Sequence, residues 1–186
     1  GVDNANSAAA MLGKLQEAIQ LYSATPSNRT LAENAVESAR QMVRTLNEGS
    51  HAIQAFRADM DSQIATAVGE LNGLLSDFEA VNKEIVKATA SGREALDAYD
   101  KRDALLTKIA EYVPISTITR TNNDVMIVTA DGSTLFETVP RHVSFDAIPA
   151  YGPATEGNRI LVDGVPISQA AGANTTAGGS IAAMVQ

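Results

Sequence analysis

The stretch from residue 58 to residue 86 reads ADMDSQIATAVGELNGLLSDFEAVNKEIV and decides the fold. It lies in a segment, from about residue 30 to about residue 90, that contains no proline. Apolar residues recur along this segment at spacings of three and four, which is typical of a coiled-coil seam. The pattern predicts one helix of about 60 residues, on the order of 90 Å long at the usual rise per residue. The seam consists of Ala35, Ala39, Met42, Leu46, Gly49, Ile53, Phe56, Met60, Ile64, Ala67, Leu71, Leu74, Phe78, Val81 and Ile85.

The opposite face of the same helix carries small side chains, again at spacings of three and four. Glycine inside a helix costs about 1 kcal/mol relative to alanine, so its presence there calls for a reason. Either the small residues cover a solvated face, or they form a second packing face that another helix can approach closely. The second interpretation makes a helix-packing interface of Ala58, Ser62, Ala65, Gly69, Gly73, Ser76 and Ala80.

Two shorter helices flank the long one. Asn6-Ser7 predicts the cap of a first helix that ends near Ala24, because short polar side chains accept hydrogen bonds from the first turn. A third helix is predicted from near Arg93 to Pro114, where proline lacks the N–H needed to continue it. The apolar face of this third helix consists of Leu96, Tyr99, Leu106, Ile109 and Val113.

After Pro114 the apolar period changes from that of a helix to that of a strand. Asp131-Gly132 and Asp163-Gly164 are strong hairpin signals between runs rich in Val, Ile and Thr. The strands are predicted at 115–120, 125–129, 134–139, 142–145 and 159–162. A Gly- and Ala-rich linker at 170–179 leads back toward helix.

The predicted fold class is therefore α+β: an elongated α-helical bundle or coiled-coil stalk with an inserted, mostly antiparallel β-rich domain. The domain boundaries follow the change of period. We predict a long-helix stalk domain at 1–113, a β-rich domain at 114–170, and a linker with the start of a return helix at 171–186. The first residue is Gly and the last stretch begins a helical pattern, so we expect a core fragment that lacks flanking helices.

Composition excludes several classes of function. The formal net charge is −8, and a surface of that sign repels nucleic acid and anionic lipid. No run of residues approaches the roughly 18 apolar positions of a membrane span. The chain has no Cys, which removes disulfides, thiolate nucleophiles and zinc–thiolate sites.

No catalytic, cofactor or metal site is predicted. The only histidines, His51 and His142, have no partner placed by a recognisable motif, so ordinary surface or half-buried roles are favoured over a general base. Asn122-Asn123-Asp124 lacks the spaced ligands and terminal Glu of a calcium loop, which favours a turn. We therefore predict that the chain is not an enzyme.

One polar cluster stands at the start of the third helix: Asp97, Asp100, Arg102 and Asp103. Negative charge in the first turns meets the positive end of the helix dipole, and Asp97 can pair with Lys101 one turn on. Arg102 lies on or beside the apolar face and is expected to reach a carboxylate or carbonyl on the long helix. Either these charges are solvated, or a half-buried charged pair among them fixes the register in which the helices pack, because it destabilises shifted packings.

At this cluster the sequence resembles the flagellar hook-associated protein 1 family. That family carries a run of the form Asn/Gly-Asp-Leu-Leu-Asp-Gln-Arg-Asp-x-Leu-Leu after its long helix, and here 96–106 reads LDAYDKRDALL. The departures are Ala98-Tyr99 for Leu-Leu and Lys101 for Gln. The strands around Asp131-Gly132 and the Gly-Gly run before Ile181 are also similar, so the resemblance covers most of the chain.

The resemblance implies a structural, extracellular part of the bacterial flagellum at the hook–filament junction, assembling by lateral helix packing. It implies export by the flagellar type III apparatus. The implied partners are the hook protein, a second junction protein and further copies of the chain. A cytoplasmic export chaperone is expected to bind a C-terminal region outside this chain, and the fragment itself is expected to be monomeric. Neither nucleic acid nor membrane is expected as a partner.

Other functions stay open at this stage. Within the same class, the chain could be another axial protein, such as flagellin or the second junction protein. From a different class, a periplasmic helical domain that senses a small molecule would also contain long helices. The Asp-x-Arg-Asp run and the switch to strands at Pro114 favour the first junction protein.

Overall fold

The structure is a computed structural model that describes residues 7–167 and 180–181. Three helices come first along the chain. They are α1 (Ala8–Ala24), α2 (Arg29–Ala90) and α3 (Leu96–Tyr112). The predicted linker at 170–179 and most of the return helix lie outside the described residues, although Ser180 and Ile181 are helical.

Side-chain caps begin the first two helices. The Ser7 hydroxyl accepts a hydrogen bond from the Ala10 amide at 3.2 Å, which confirms the predicted cap of α1. Asn28 Oδ1 accepts from the amides of Thr30 and Leu31 at 3.0 and 3.3 Å at the start of α2. Both caps satisfy N–H groups that a first turn leaves without partners.

A glycine motif ends α2 and displaces the start of α3. Gly92 has a φ of +67°, and the Arg93 amide bonds back to the Ala88 carbonyl at 2.9 Å. This is the arrangement that commonly closes a helix at glycine. The prediction that α3 begins near Arg93 is wrong by three residues, because Arg93 closes the preceding helix and α3 begins at Leu96.

The chain divides into two compact units, 1–57 and 58–186, with α2 contributing to each. In unit 1–57 large apolar side chains of the predicted seam are exposed, among them Leu46, Ile53 and Phe56. In unit 58–186 the seam is buried at Ile64, and from there buried positions recur as far as Ile85. The predicted domain boundaries at 113 and 170 stay a prediction.

The β part of unit 58–186 consists of two small antiparallel sheets. The strands are β1 (Ile115–Thr119), β2 (Val125–Thr129), β3 (Thr134–Phe136), β4 (Val143–Ser144), β5 (Leu161–Val162) and β6 (Val165–Pro166). Strand β2 lies in the middle of the first sheet, in the order β1-β2-β3, and β5 lies in the middle of the second, in the order β4-β5-β6. The Asp163-Gly164 turn between β5 and β6 has φ positive at both residues, as a tight hairpin requires.

One core joins the helices and sheets of this unit. The rings of Phe78 on α2 and Phe136 on β3 meet edge to face, with centroids 5.0 Å apart. Ile181 is buried in the same core. The α+β class with a long helix and antiparallel sheets is confirmed. Other buried members of the core include Ile64, Leu71, Leu75, Ile109, Ile127, Leu135, Val143 and Ile160.

Candidate structural site at the β1–β2 turn and the small-residue face

The polar cluster at the start of α3 divides into exposed and buried members. Asp97, Asp100 and Asp103 are exposed, whereas Arg102 retains only 9% of its accessible surface. Asp97 lies in the first turn of α3, where the helix dipole favours negative charge. Among the described residues Asp97 forms no ion pair with Lys101, and pairs between such exposed groups contribute little to stability. Arg102 is therefore the member of the cluster that contacts the interior.

Arg102 binds the β1–β2 turn. Its Nη1 donates a hydrogen bond to the Asn123 carbonyl at 2.7 Å, and its guanidinium lies 5.1 Å from the centre of the Tyr99 ring. A charged donor and a cation–π contact each strengthen with burial. The expectation that Arg102 reaches the long helix is wrong, because the turn approaches its guanidinium. The Arg102 Nε has no hydrogen-bond partner among the described residues.

The turn that Arg102 holds has an uncommon backbone. Asn122 and Asn123 both lie in the left-handed region, at φ values of 59° and 58°. Asparagine tolerates this region better than most residues, but two in succession need support from their surroundings. The Asn123 side chain provides part of that support by donating to the Tyr99 hydroxyl at 2.8 Å. The motif on α3 thus contacts the turn through both Tyr99 and Arg102.

Asn82 on α2 holds the other side of the turn. It is 2% exposed, and its Nδ2 donates to Asp124 Oδ1 at 2.7 Å while its Oδ1 accepts from the Val125 amide at 3.1 Å. Arg120 binds the second carboxylate oxygen of Asp124, at 2.8 Å from Nη2. The carboxylate that could have suggested calcium is thus bound by Asn82 and Arg120.

Two further polar residues of α2 hold the second sheet and the loop that follows its first strand. Asn72 donates to the Val143 carbonyl at 2.7 Å and accepts from the Val143 amide at 3.0 Å. Asp61 is buried and accepts from the Ile148 amide at 2.9 Å and the Tyr151 hydroxyl at 2.8 Å. Sequence reasoning missed these residues. The sequence did contain a signal for them: Asp61, Asn72 and Asn82 follow one another about every three helical turns, on or beside the apolar face of α2.

Helices α2 and α3 are also joined by a tyrosine. The Tyr112 hydroxyl donates to Glu70 Oε2 at 2.6 Å. This hydrogen bond, followed by partial burial and the negative charges of Glu70 and Glu111, raises the pKa of Tyr112 above its usual value. The bond lies beside Gly73 and Leu74, which line the groove between the two helices.

The small-residue face of α2 is open in this structure. Ser62, Gly69, Gly73, Ser76 and Ala80 are exposed, and Ala58 and Ala65 are half-buried. A Cβ atom added at Gly69 or Gly73 would meet nothing within 4 Å. The face is therefore free to be solvated or to receive another helix, and its use as an interface stays a prediction.

Both histidines, His51 and His142, are exposed. Within residues 7–167 and 180–181, no group of three His, Asp or Glu side chains could hold a metal ion. In the same residues, none of the helices combines the length and the apolar character that a bilayer span demands.

The polar contacts described above join elements of the fold to one another: Arg102 on α3 and Asn82 on α2 both bind the β1–β2 turn. The chain matches the family described as the flagellar hook-associated protein FlgK helical domain over residues 2–186. The chain belongs to this family. It is a flagellar hook-associated structural domain and not an enzyme.

A relative from Bacillus subtilis (strain 168), named flagellar hook-associated protein 1, is similar over part of the chain. The two are 24% identical over 120 residues, which cover 62% of this chain and 24% of the relative. The matched part thus spans about a quarter of the relative's length. The family match confirms the resemblance that the Asp97–Asp103 cluster suggested.

Proposed function

We propose that the chain is part of the hook–filament junction of the bacterial flagellum, where it adapts the hook to the filament. The observation that carries this proposal is the family match over residues 2–186, together with a relative named flagellar hook-associated protein 1. The proposed location is outside the cell, after export through the flagellar type III apparatus. The proposed partners are the hook protein, the second junction protein and further copies of the chain, with an export chaperone that binds a C-terminal region.

The structure supports a scaffold role within such an assembly. Arg102 and Asn82 hold the β1–β2 turn between α3 and α2, and Asn72 holds β4 against α2. Because these bonds join segments far apart in the chain, they oppose sliding of the sheets along the helices. Such bonds hold the sheets at one position along the helices, which suits a subunit placed between hook and filament.

Deletion of the gene in a motile strain tests this role. We expect intact hooks and filament protein secreted into the medium but not attached, with attachment restored when the gene is supplied again. Normal motility and attached filaments in the deletion strain would contradict the proposal. Electron microscopy of the cells and a blot of the medium give the two readouts.

We propose further that the small-residue face of α2 packs laterally against another helix in the assembled junction. Small side chains allow helix backbones to approach closely, and the space over Gly69 and Gly73 is open in this structure. Leucine at either position should therefore leave the fold intact and block the approach of a partner helix. Gly13→Leu is the matched control, because Gly13 is an exposed position of α1 with equally open space and belongs neither to this face nor to the apolar seam of α2.

Two measurements, the unfolding temperature of the variant and filament attachment in the deletion strain, separate an effect on folding from an effect on assembly. We expect Gly69→Leu and Gly73→Leu to unfold at the same temperature as the parent chain or higher, and to fail to restore filament attachment in the deletion strain. Gly13→Leu should restore attachment. If both variants assemble as well as the parent, the face is solvated and the interface proposal is wrong.

A further inference from the structure

The groove between α2 and α3 is lined mostly by negative charge. Three carboxylates line it, those of Glu70, Asp77 and Glu111, together with Lys108 of α3. All four residues are exposed, so their charges face solvent in the single chain. Unlike charges that meet across a contact favour it, and like charges oppose it. This acidic groove therefore favours a partner that brings positive charge to it.

The acidic groove also has an uncharged part. Gly73 and Leu74 of α2 line it, and a Cβ atom added at Gly73 would meet nothing within 4 Å. The Tyr112 hydroxyl holds the carboxylate of Glu70 through the 2.6 Å hydrogen bond described above. The groove thus combines open space beside a glycine, which an aliphatic side chain can occupy, with fixed negative charge.

The first part of α2 carries a surface of the opposite kind. Val36 and Val43 lie about two helical turns apart and are 49% and 56% exposed. Together with Ala39, Arg40 and Arg44 they line one shallow depression on the helix. These five residues form a basic patch, in which two guanidinium groups flank exposed aliphatic side chains.

The positive charge of the basic patch is only partly neutralised within the chain. Glu37 pairs with both arginines, with its oxygens 2.7 Å from Arg44 Nη2 and 3.7 Å from Arg40 Nη1. All three side chains keep more than half of their surface accessible. Because exposed pairs of this kind contribute little to stability, the arginines can exchange Glu37 for other carboxylates at small cost.

We propose that the basic patch of one copy of this chain binds in the acidic groove of another copy. Val43 then packs over Gly73, while Arg40 and Arg44 meet the carboxylates that line the groove. Removal of the exposed valines from water favours the contact, and the charges fix its orientation. The inference rests on the proposed self-association and deepens it by naming the two surfaces that meet.

The contact joins two different surfaces, so no two-fold axis closes it. A copy whose patch is occupied still offers a free groove, and further copies can add to it in the same direction. Repetition of the contact gives a ring or a helical array in which all copies point the same way. An assembly with the hook on one side and the filament on the other requires this polarity.

Disulfide crosslinking tests the contact, because the chain has no Cys of its own. Chains that carry Val43→Cys are mixed with chains that carry Gly73→Cys, at high protein concentration and under mild oxidation. We expect covalent dimers to form about tenfold faster in the mixture than with either variant alone, because the contact pairs unlike surfaces. In the matched control Gly13→Cys, at an exposed position of α1 with open space, replaces Val43→Cys.

A chain that carries both Val43→Cys and Gly73→Cys tests the polarity of the contact. We expect a ladder of covalent dimers, trimers and longer oligomers, because each copy offers one patch and one groove. A disulfide within a single chain adds no oligomer band, so the ladder reports contacts between copies. A ladder that stops at the dimer, or a mixture that reacts no faster than the single variants, would overturn the inference.

Charge reversal in the groove tests how the partner is recognised. Asp77→Lys with Glu111→Lys, added to Gly73→Cys, changes only exposed side chains and opposes the arginines of the patch. We expect crosslinking to Val43→Cys to slow about tenfold, to the rate of the Gly13→Cys control. An unchanged rate would overturn the inference, since the patch would then not recognise the charge of the groove.

Reversal of the patch as well should restore the contact. Arg40→Glu with Arg44→Glu, added to Val43→Cys, brings negative charge to the reversed groove, and we expect the crosslinking rate to recover. The same patch variant should react slowly with the parent groove. Failure of the doubly reversed pair to recover, with both variants still helical by circular dichroism, would contradict the proposed pairing.

The outcome is independent of the junction role. Detached filaments in the deletion strain, combined with equal crosslinking rates in the mixture and the control, would leave the junction proposal standing and remove this contact. Rapid crosslinking in the mixture together with normal motility of the deletion strain would do the reverse.

Discussion

The two halves of α2 carry the same apolar pattern and bury it to different extents. Phe56, in unit 1–57, is 63% exposed, and Phe78, in unit 58–186, is fully buried against Phe136. The helix is continuous through both positions. The comparison teaches that a heptad pattern determines which face of a helix is apolar, whereas tertiary contacts determine whether that face is covered.

Replacing one phenylalanine in each half gives the largest expected difference. Phe78→Ala removes a fully buried ring and should lower the free energy of unfolding by about 3 to 5 kcal/mol. Phe56→Ala removes an exposed ring and should change it by about 0.5 kcal/mol or less. Urea unfolding followed by circular dichroism measures both. Equal losses would show that the first half of α2 is packed as tightly as the second.

Loss of the buried arginine should be the next largest effect. Arg102→Leu leaves the Asn123 carbonyl without its donor and removes the cation–π contact with Tyr99. We expect a loss of about 1.5 to 3 kcal/mol, the range for hydrogen bonds to charged groups. Lys101→Leu, one position earlier and exposed, is the control and should be nearly neutral. An unchanged free energy of unfolding in Arg102→Leu would mean that the cluster is only a set of solvated charges.

Asn82→Leu tests the α2 side of the same turn. The change leaves the buried Val125 amide without an acceptor, at a cost of about 1 to 3 kcal/mol. Asn47→Leu, at an exposed position in the first half of α2, should have little effect. Faster hydrogen exchange at the Val125 amide would locate the loss at the turn. Equal effects of the two substitutions would contradict this role for Asn82.

The glycines of the small-residue face should give a gain instead of a loss. Gly69→Ala and Gly73→Ala place a methyl group in open space and should each stabilise the chain by about 1 kcal/mol. Gly49→Ala in the first half should give the same gain, and thermal unfolding of the three variants measures it. A loss at Gly69 or Gly73 alone would show that this face is already covered.

The smallest expected effect concerns pH. The folded state raises the pKa of Tyr112, so the neutral phenol is favoured by folding. This contribution to stability is complete below the pKa of the unfolded chain and is lost as the pH rises through the folded value. Glu70→Gln removes the negative acceptor and should bring the pKa of Tyr112 back toward 10.0 in an absorbance titration. An unchanged titration would exclude Glu70 as the cause.

Much of the fold could be predicted from local pattern. The long helix was predicted from the period of its apolar residues and from its lack of proline. The change to strands was predicted at Pro114, and two turns were predicted from the Asp-Gly pairs. Two of the shortest strands, β4 and β5, coincide with the predicted runs, although each has only two residues. Strand β6 was missed because Pro166 argues against a strand everywhere except at an edge.

The structural site was only partly predictable. The Asp97–Asp103 cluster was identified, but the contact made by Arg102 depends on where a turn 21 residues later is placed. Asn72 and Val143 are 71 residues apart, and no local pattern connects them. Polar residues on an apolar face indicate a tertiary partner, and the sequence does not show which backbone groups will meet them.

Hydrogen exchange along α2 tests the central claim most directly, because one continuous helix provides its own control. We expect slow exchange of the amides from about residue 64 to 85, which are covered by the core, and faster exchange of those from 30 to 56. The difference should appear in a single experiment on the native chain. Uniform protection along the whole of α2 would contradict the account, since the exposed half would then be as stable as the buried one.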